Sequence, residues 1–196
     1  MMKELTTHYF MRGMSLALED RITLAVRKLE TAIAMDSGNW EALNVLGLCY
    51  YKMGEFSKSK VVWQESTKEY GQDNPAWDYL DTLKSQKFDE FCEKFNDALG
   101  LAQQGNYKKA IKVLDGVRKQ GFCSVSLLNL LGLCFYGNGK YGKAITLWKS
   151  VLTLDKDNPR ANDYITKTMD KHPRKVYMAI LMQSIKGIFY PHRDGI

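Results

Sequence analysis

The chain has 196 residues, of which 45% are hydrophobic and 26% are charged, and only four are prolines. This composition is sufficient for a buried core and excludes an intrinsically disordered chain. The net charge of +6 is unevenly distributed, because residues 1–85 are slightly acidic whereas 86–170 and 171–196 are both basic. The basic C-terminal region is therefore a candidate surface for an anionic partner.

The sequence contains none of the common catalytic or metal-binding motifs. It has no glycine-rich phosphate loop, no serine nucleophile elbow and no zinc-binding HExxH pattern. The cysteines at 49, 92, 123 and 134 lack CxxC spacing, and the histidines are scattered. We therefore predict no enzyme activity, no cofactor and no metal site, and we interpret the cysteines as small apolar residues.

Targeting and membrane signals are also absent from the sequence. The N-terminus lacks the basic and apolar regions of a secretory signal. The longest apolar run, residues 176–182, is far shorter than the roughly 18 residues that a membrane-spanning helix needs. These features predict a cytoplasmic protein.

The most informative stretch, residues 43–75, has the pattern of two short helices folded back on each other. It recurs 85 residues later, where about half of the positions between Leu43 and Trp63 are identical. The identities include Gly47 with Gly132 and Trp63 with Trp148. Such agreement at a fixed offset indicates an internal duplication.

Each copy has a glycine where two helices would touch, then an aromatic residue, a glycine-aromatic turn and a large apolar residue. In the first copy these are Gly47, Tyr50, Gly54 with Phe56, and Trp63. This pattern resembles the tetratricopeptide repeat, a helix-turn-helix unit with a period of 34 residues. The resemblance implies an all-α, helical-hairpin solenoid.

Applying this period in chain order predicts four repeats arranged as two duplicated halves. A degenerate first repeat falls at about 5–38, the copy at 43–75 follows, and later repeats fall at about 90–123 and 125–158. The residues left after each pair form a capping helix, which a repeat array needs to cover its apolar end. The predicted domains are 1–85 and 86–170, each with two repeats plus a capping helix, and 171–196, a basic amphipathic helix and tail.

The connection between the two halves is open at this point. No glycine or proline occurs from Ala76 to Leu99, so the first capping helix could continue into the next repeat as one long helix. It could also break near Ser85, a possible N-cap.

By resemblance, the first helices of successive repeats line a concave groove that binds partners. The groove residues that this implies are Phe10, Met14, Asn44, Leu48, Tyr51, Lys52, Phe95, Leu99, Asn129, Leu133 and Tyr136, with Ala17, Leu18, Glu41, Ala102, Gln103 and Ser126 beside them. Each half thus offers aromatic and leucine side chains around one amide. An amide both donates and accepts hydrogen bonds, as gripping a peptide backbone requires.

The C-terminal helix is predicted to begin near Pro173 and to end before Pro191. Its apolar residues recur at helical spacing and form one stripe, namely Val176, Tyr177, Ile180, Leu181, Ile185, Ile188 and Phe189, widened by Met178 and Met182. Such a stripe must be covered. Three alternatives remain: a permanent cap on the second half, a competitor lying in the groove, or docking on another subunit or an anionic membrane.

The function that the sequence predicts is a protein–protein interaction scaffold that binds a peptide or a partner helix in its concave groove. The alternative is a membrane-surface or nucleic-acid adaptor that works through the basic C-terminal helix. The expected partner is a protein or peptide, with self-association or an anionic surface through residues 173–193 as a further option. Nucleic acid is the less favoured partner.

Overall fold

The computed structural model describes residues 2–71 and 73–179, and all regular secondary structure in these residues is helical. The helices are α1 Met2–Leu18, α2 Ile22–Met35, α3 Trp40–Met53, α4 Phe56–Glu69, α5 Ala76–Leu83, α6 Gln86–Gln103, α7 Tyr107–Lys119, α8 Val125–Gly137, α9 Tyr141–Leu154 and α10 Pro159–Lys171. Residues 173–179 are helical as well. The predicted all-α class is confirmed.

The helices pack as four hairpins and two single helices. The hairpins are α1 with α2, α3 with α4, α6 with α7, and α8 with α9, while α5 packs on α4 and α10 packs on α9. This order is the predicted helical-hairpin solenoid. We refer to α1–α5 as the first half and to α6–α10 as the second half.

Glycine allows the two helices of a hairpin to approach closely. A β-carbon on Gly47 would lie 2.1 Å from Trp63 Nε1, and one on Gly132 would lie 2.3 Å from Trp148 Nε1. Both indoles are about 1% exposed. The Trp63 indole also donates a hydrogen bond to the backbone oxygen of Asn44, at 3.2 Å. The glycine and tryptophan of each copy therefore form one packing unit.

The helix is interrupted between α5 and α6, so the alternative of one continuous helix does not occur. Helix α5 ends at Leu83, and α6 begins at Gln86. Ser85 is extended and its hydroxyl accepts a hydrogen bond from the backbone nitrogen of Phe88, at 3.3 Å. This contact satisfies one of the unpaired N–H groups at the start of α6.

Aromatic side chains join the two halves at one edge. Phe56 of α4 packs edge-on against Phe88 and Phe91 of α6, with ring centroids 4.9 and 5.5 Å apart. Phe91 in turn stacks on Phe122, at 4.4 Å. Phe88 and Phe91 are both buried. We call Phe56, Phe88, Phe91 and Phe122 the aromatic hub.

Polar side chains join the halves again at the turns that follow α1 and α9. Asp155 accepts hydrogen bonds from the backbone nitrogen of Thr23, at 3.0 Å, and from its hydroxyl, at 2.5 Å. Arg21 donates from Nε and Nη2 to the two carboxylate oxygens of Asp157, at 2.6 and 3.3 Å. The first and fourth repeats are thus in direct contact.

Lys156 extends this contact, because its backbone nitrogen donates to the carbonyl oxygen of Asp20 and its ammonium group donates to that of Glu19, both at 2.7 Å. We call the contacts between residues 19–23 and 155–158 the polar clasp. Its members lie more than 130 positions apart in sequence.

Residues 173–179 pack on the second half. Val176 is 3% exposed and belongs to the core cluster of that half. A β-carbon on Gly142 would lie 2.4 Å from the β-carbon of Ala179, so this run crosses the start of α9 closely. The rest of the predicted apolar stripe, from Ile180 onward, lies outside the described residues. No helix in the described part of the chain is long and apolar enough to span a membrane.

Candidate functional site

Four of the predicted groove residues, one from each repeat, are large apolar side chains that are wholly or partly accessible. Leu48, Leu99 and Leu133 are 40%, 37% and 38% exposed, and Met14 is half-buried. They occupy the same position of α3, α6, α8 and α1. Large apolar side chains left accessible at one repeated position can make contact with a partner.

The two phenylalanines predicted for the groove are less accessible. Phe10 is half-buried against the core of the first repeat. Phe95 is half-buried as well, 6.0 Å from Phe91 between ring centroids, and it lines a cavity of about 310 Å³ that also contains Glu55 and Asn96. Phe95 therefore lies at the boundary between the aromatic hub and the open surface.

The rings of the two tyrosines pack within their hairpins. The centroid of Tyr51 lies 6.1 Å from that of Trp63, and the centroid of Tyr136 lies 6.3 Å from that of Trp148. Both tyrosines are half-buried, and burial raises the pKa of the Tyr51 phenol. A partner can therefore contact only the part of each tyrosine ring that lies at the surface.

Lys52 is paired with Asp20. The ammonium nitrogen lies 2.6 Å from the Asp20 carboxylate, and this hydrogen bond lowers the pKa of that carboxyl group below its usual value. Asp20 belongs to the polar clasp, so Lys52 links the predicted groove to the contact between the halves.

Asn44 is buried and holds the capping helix of the first half. It is 7% exposed, and its Nδ2 donates to Asn74 Oδ1 at 2.8 Å. The same Asn74 oxygen accepts a hydrogen bond from the backbone nitrogen of Ala76, at 2.9 Å, where α5 begins. The Asn44 amide therefore supports the start of α5.

Asn129, the duplicated counterpart of Asn44, lacks this support. It is 9% exposed, and its Oδ1 is buried without a partner, as is that of Asn44. Unlike Asn44, it also makes no hydrogen bond through Nδ2 within the described residues. In the second half the capping asparagine is Asn158, whose Nδ2 donates to Asp155 Oδ2 at 3.0 Å. The Asn158 Oδ1 accepts a hydrogen bond from the backbone nitrogen of Ala161, at 3.0 Å, and no hydrogen bond joins Asn158 to Asn129.

Asn129 lines a cavity of about 330 Å³ between the two halves. We call it the inter-half cleft. Its walls include Thr23, Met53 and Glu55 from the first half, and Leu133 and Arg160 from the second. The repeat pattern predicts Asn129 and Leu133 as groove residues, but it does not indicate Thr23, Met53 or Arg160. No sequence signal marks these three, because the duplication gives no indication that the halves face each other here.

Comparison with known families decides the assignment. The tetratricopeptide repeat model matches residues 10–59 and 95–159, together more than half of the chain. This chain belongs to the tetratricopeptide repeat family. Members are generally non-enzymatic modules for protein interaction, which supports a protein-interaction scaffold as the general function. A search of curated proteins found no match.

Several solved tetratricopeptide repeat structures are similar to this one. The P58(IPK) repeat domain matches at 18% identity with a TM-score of 0.49, covering 96% of this chain and 52% of that one, so this chain spans about half its length. MamA from Desulfovibrio magneticus RS-1 matches at 15% identity and 0.40, with both chains fully covered. YrrB, described as having an unusual peptide-binding site, matches at 14% identity and 0.38, with 79% and 89% covered.

The cysteines of this repeat chain differ sharply in exposure. Cys49 and Cys134 are buried at equivalent positions of α3 and α8, and burial raises their pKa to about 12 and about 11. Burial therefore disfavours the thiolate that metal binding or nucleophilic attack requires. Within the described residues, no group of three histidine, cysteine or acidic side chains could hold a metal ion.

Proposed function

We propose that this chain is a scaffold that binds an extended segment of a partner protein in the inter-half cleft and along the adjoining exposed leucines. The observation that carries this proposal is the buried Oδ1 of Asn129 at the cleft, which has no partner, in an amide whose nitrogen makes no hydrogen bond with the described residues either. A buried polar group without a partner is destabilising by roughly 1–3 kcal/mol. A ligand that pairs with this amide would remove that penalty.

The amide of Asn129 favours a polypeptide backbone as its partner. A primary amide offers one acceptor and two donors, which complement the N–H and C=O groups of an extended chain. Main-chain hydrogen bonds supply affinity in such complexes, and pockets for side chains supply specificity. An extended segment therefore fits this site better than a ligand with only donors or only acceptors.

The walls of the cleft favour an apolar side chain next to an acidic one. Met53 and Leu133 supply apolar contact on opposite sides. Arg160 is exposed and forms no hydrogen bond or ion pair with the described residues. A free guanidinium group at the edge of the cleft is suited to a carboxylate, which it can bind through two parallel hydrogen bonds.

Selection of displayed peptides tests this proposal for a partner segment of any sequence. Random peptides are selected on the wild-type protein, and the selected peptides are then titrated by calorimetry against Asn129→Ala. We expect about tenfold weaker binding or worse, because the lost hydrogen bonds are each worth roughly 1 kcal/mol or more. The matched control is Asn162→Ala, which removes an exposed asparagine of α10.

The two variants together decide the outcome. Loss of affinity in Asn129→Ala with full retention in Asn162→Ala supports the proposal. Equal affinity of both variants would place the binding surface outside the cleft. The failure of wild-type protein to select any peptide would count against a scaffold for extended segments.

A second candidate function rests on a basic surface at the start of α9. Lys140, Lys143, Arg174 and Lys175 line a cavity of about 590 Å³, and none of the described residues in its lining is acidic. Tyr177 is 67% exposed beside them. Cations next to exposed aromatic side chains are typical of proteins that bind anionic membrane surfaces.

Vesicle flotation tests this second candidate. We expect wild-type protein to bind vesicles that contain phosphatidylserine but not vesicles of phosphatidylcholine alone, and binding to decrease as salt is raised. Arg174→Glu combined with Lys175→Glu should abolish binding. Lys108→Glu with Lys109→Glu, the same charge change on α7, should retain it. Binding that is insensitive to the first pair would eliminate this surface.

A further inference from the structure

The two halves of the chain are held together by contacts of opposite chemistry. At one edge lies the aromatic hub, in which Phe56 packs against the buried rings of Phe88 and Phe91. Near this edge the chain itself passes from one half to the other through Lys84 and Ser85. At the other edge lies the polar clasp.

The polar clasp combines a buried carboxylate, Asp155, with an ion pair between Arg21 and Asp157 that is open to water. The side chains of Arg21 and Asp157 are 37% and 32% exposed, so water and salt reach their ion pair. Exposed ion pairs contribute little and are screened by salt. Apolar burial in the hub is not screened in this way. Salt that screens this ion pair therefore weakens the clasp and leaves the hub in place.

The inter-half cleft lies next to the clasp and shares residues with it. Thr23 lines the cleft and also donates to Asp155. Asn158 lines the cleft and also bonds Asp155. On the hub side, the Ser126 hydroxyl donates to the carbonyl oxygen of Met53 at 2.8 Å. The clasp and the cleft are therefore coupled through Thr23 and Asn158.

We propose that the polar clasp is a latch on the inter-half cleft, and that the aromatic hub is the hinge about which residues 1–85 and 86–170 open as two units. In the closed state Asn129 is buried, with only 9% of its surface exposed. Opening of the latch exposes this amide to a partner segment. This inference rests on the proposed function of the cleft and adds the regulation of that site.

The latch is tested by the reactivity of a cysteine placed in the cleft. Leu130 lines the cleft and is 9% exposed, so Leu130→Cys should react slowly with a water-soluble thiol reagent while the cleft is closed. The background carries Cys92→Ser and Cys123→Ser, which remove the more accessible natural thiols. The clasp is opened by the double substitution Arg21→Ala with Thr23→Val, which we call the clasp variant.

We expect the cysteine of Leu130→Cys to react roughly tenfold faster in the clasp variant than in the parent. A tenfold change corresponds to the loss of about 1.4 kcal/mol of contacts that hold the cleft closed. The parent should also label faster as salt is raised, whereas the clasp variant should respond little. The matched control is Arg118→Ala with Thr153→Val, the same pair of changes on the exposed surfaces of α7 and α9. Its labelling rate should equal that of the parent.

Cys134 reports whether the second half unfolds. It is completely buried in the core behind the cleft, and it is labelled in the same reaction. Faster labelling of Leu130→Cys with unchanged Cys134 supports the latch. Unchanged labelling of Leu130→Cys overturns it. Parallel acceleration of both cysteines also overturns it, because the clasp would then maintain the fold rather than the closure of the cleft.

Peptides selected on the wild-type protein separate this inference from the function on which it rests. We expect them to associate faster with the clasp variant than with its control. If faster labelling shows that the cleft of the clasp variant opens, but this variant binds no peptide, the proposed function is refuted and the latch is not. Peptides that need Asn129 but associate equally fast with both variants would refute the latch alone.

Discussion

Asp155 at the end of α9 accepts two hydrogen bonds from Thr23, which lies 132 positions earlier in the chain. The carboxylate is fully buried and accepts a third hydrogen bond from Asn158, the capping residue of α10. One side chain thus connects the contact between the halves with the start of the last capping helix.

Replacing this carboxylate should therefore destabilise the protein. We expect Asp155→Ala to lower the free energy of unfolding by about 1.5–3 kcal/mol, the usual range for hydrogen bonds to a charged group. Denaturation by urea measures the effect. Asp163→Ala on the exposed face of α10 is the control and should remain within about 0.5 kcal/mol of wild type. Equal stability of both variants would contradict the role given to Asp155.

Gly54 and Gly139 are equivalent in the duplication but differ in their surroundings. Both have positive φ, at 83° and 73°. A β-carbon on Gly54 would lie 2.8 Å from the Ser126 β-carbon and 2.9 Å from the Ser124 hydroxyl, whereas one on Gly139 would meet no atom of the described residues within 4 Å. Gly54 thus permits the first half to approach the start of α8.

Alanine at these two glycines separates backbone strain from packing between the halves. In both variants the free energy of unfolding should fall by about 1–2 kcal/mol, because a residue with a β-carbon is strained in the left-handed conformation. We expect Gly54→Ala to lose about 1–3 kcal/mol more, because it also overpacks the contact with α8. Parallel urea denaturation curves measure the difference. Superimposable curves for the two variants would show that the halves are not in contact at this turn.

Gly132 should tolerate no side chain, since a β-carbon there would lie 2.3 Å from the buried Trp148 indole. We expect Gly132→Ala to lower stability by about 1–3 kcal/mol through overpacking. Gly116→Ala in α7 has open space around it and should raise stability by about 0.5–1 kcal/mol. Thermal melting compares them, and shifts of the same sign would contradict the hairpin packing.

The sequence was sufficient to predict the hairpins, because their contacts repeat at a fixed period. The pairing of Gly47 with Trp63 is an example, since both residues recur in the second copy. The break at Ser85 was left open, because no glycine or proline marks it and capping by Ser85 depends on how α6 packs.

Contacts between the halves could not be predicted from the sequence. Thr23 and Asp155 have no counterpart in the duplication, where Lys108 and Tyr70 stand at the equivalent positions. For the same reason Asn44 and Asn129 looked equivalent in sequence. The structure distinguishes them, because the Asn44 amide donates to Asn74 whereas no such bond joins Asn129 to Asn158 within the described residues.

The ion pair between Arg21 and Asp157 predicts a pH dependence. The hydrogen bond from Arg21 lowers the pKa of Asp157 below its ordinary value of 3.8. A carboxyl group with a lowered folded pKa contributes stability that is fully present above the unfolded pKa. That contribution is lost as the pH falls through the folded pKa, which lies below 3.8.

Asp157→Asn should therefore melt at a lower temperature than wild type near neutral pH, and the difference should shrink below pH 3.8. Melting temperatures measured by circular dichroism across the acid range check this. Asp170→Asn, at an exposed position of α10, serves as the control. A difference for Asp157→Asn that stays constant down to the lowest pH would contradict the ion pair.

Val176 tests whether the residues after α10 are a permanent part of the fold. It is 3% exposed and packs in the core of the second half, whereas its neighbour Tyr177 is 67% exposed. Val176→Ala removes two buried methyl groups and should lower the free energy of unfolding by about 1.5–3 kcal/mol. Each group is worth roughly 0.8 kcal/mol before the cost of the cavity is added. Tyr177→Ala should change it by no more than about 0.5 kcal/mol.

Urea denaturation of Val176→Ala and Tyr177→Ala measures these effects. A loss in Val176→Ala alone would establish that residues 173–179 cap the second half, the first of the three alternatives considered for the C-terminal helix. If instead both variants unfold like wild type, this run does not stay packed in solution. The start of α9, including the basic surface around Lys143, would then be open to a partner.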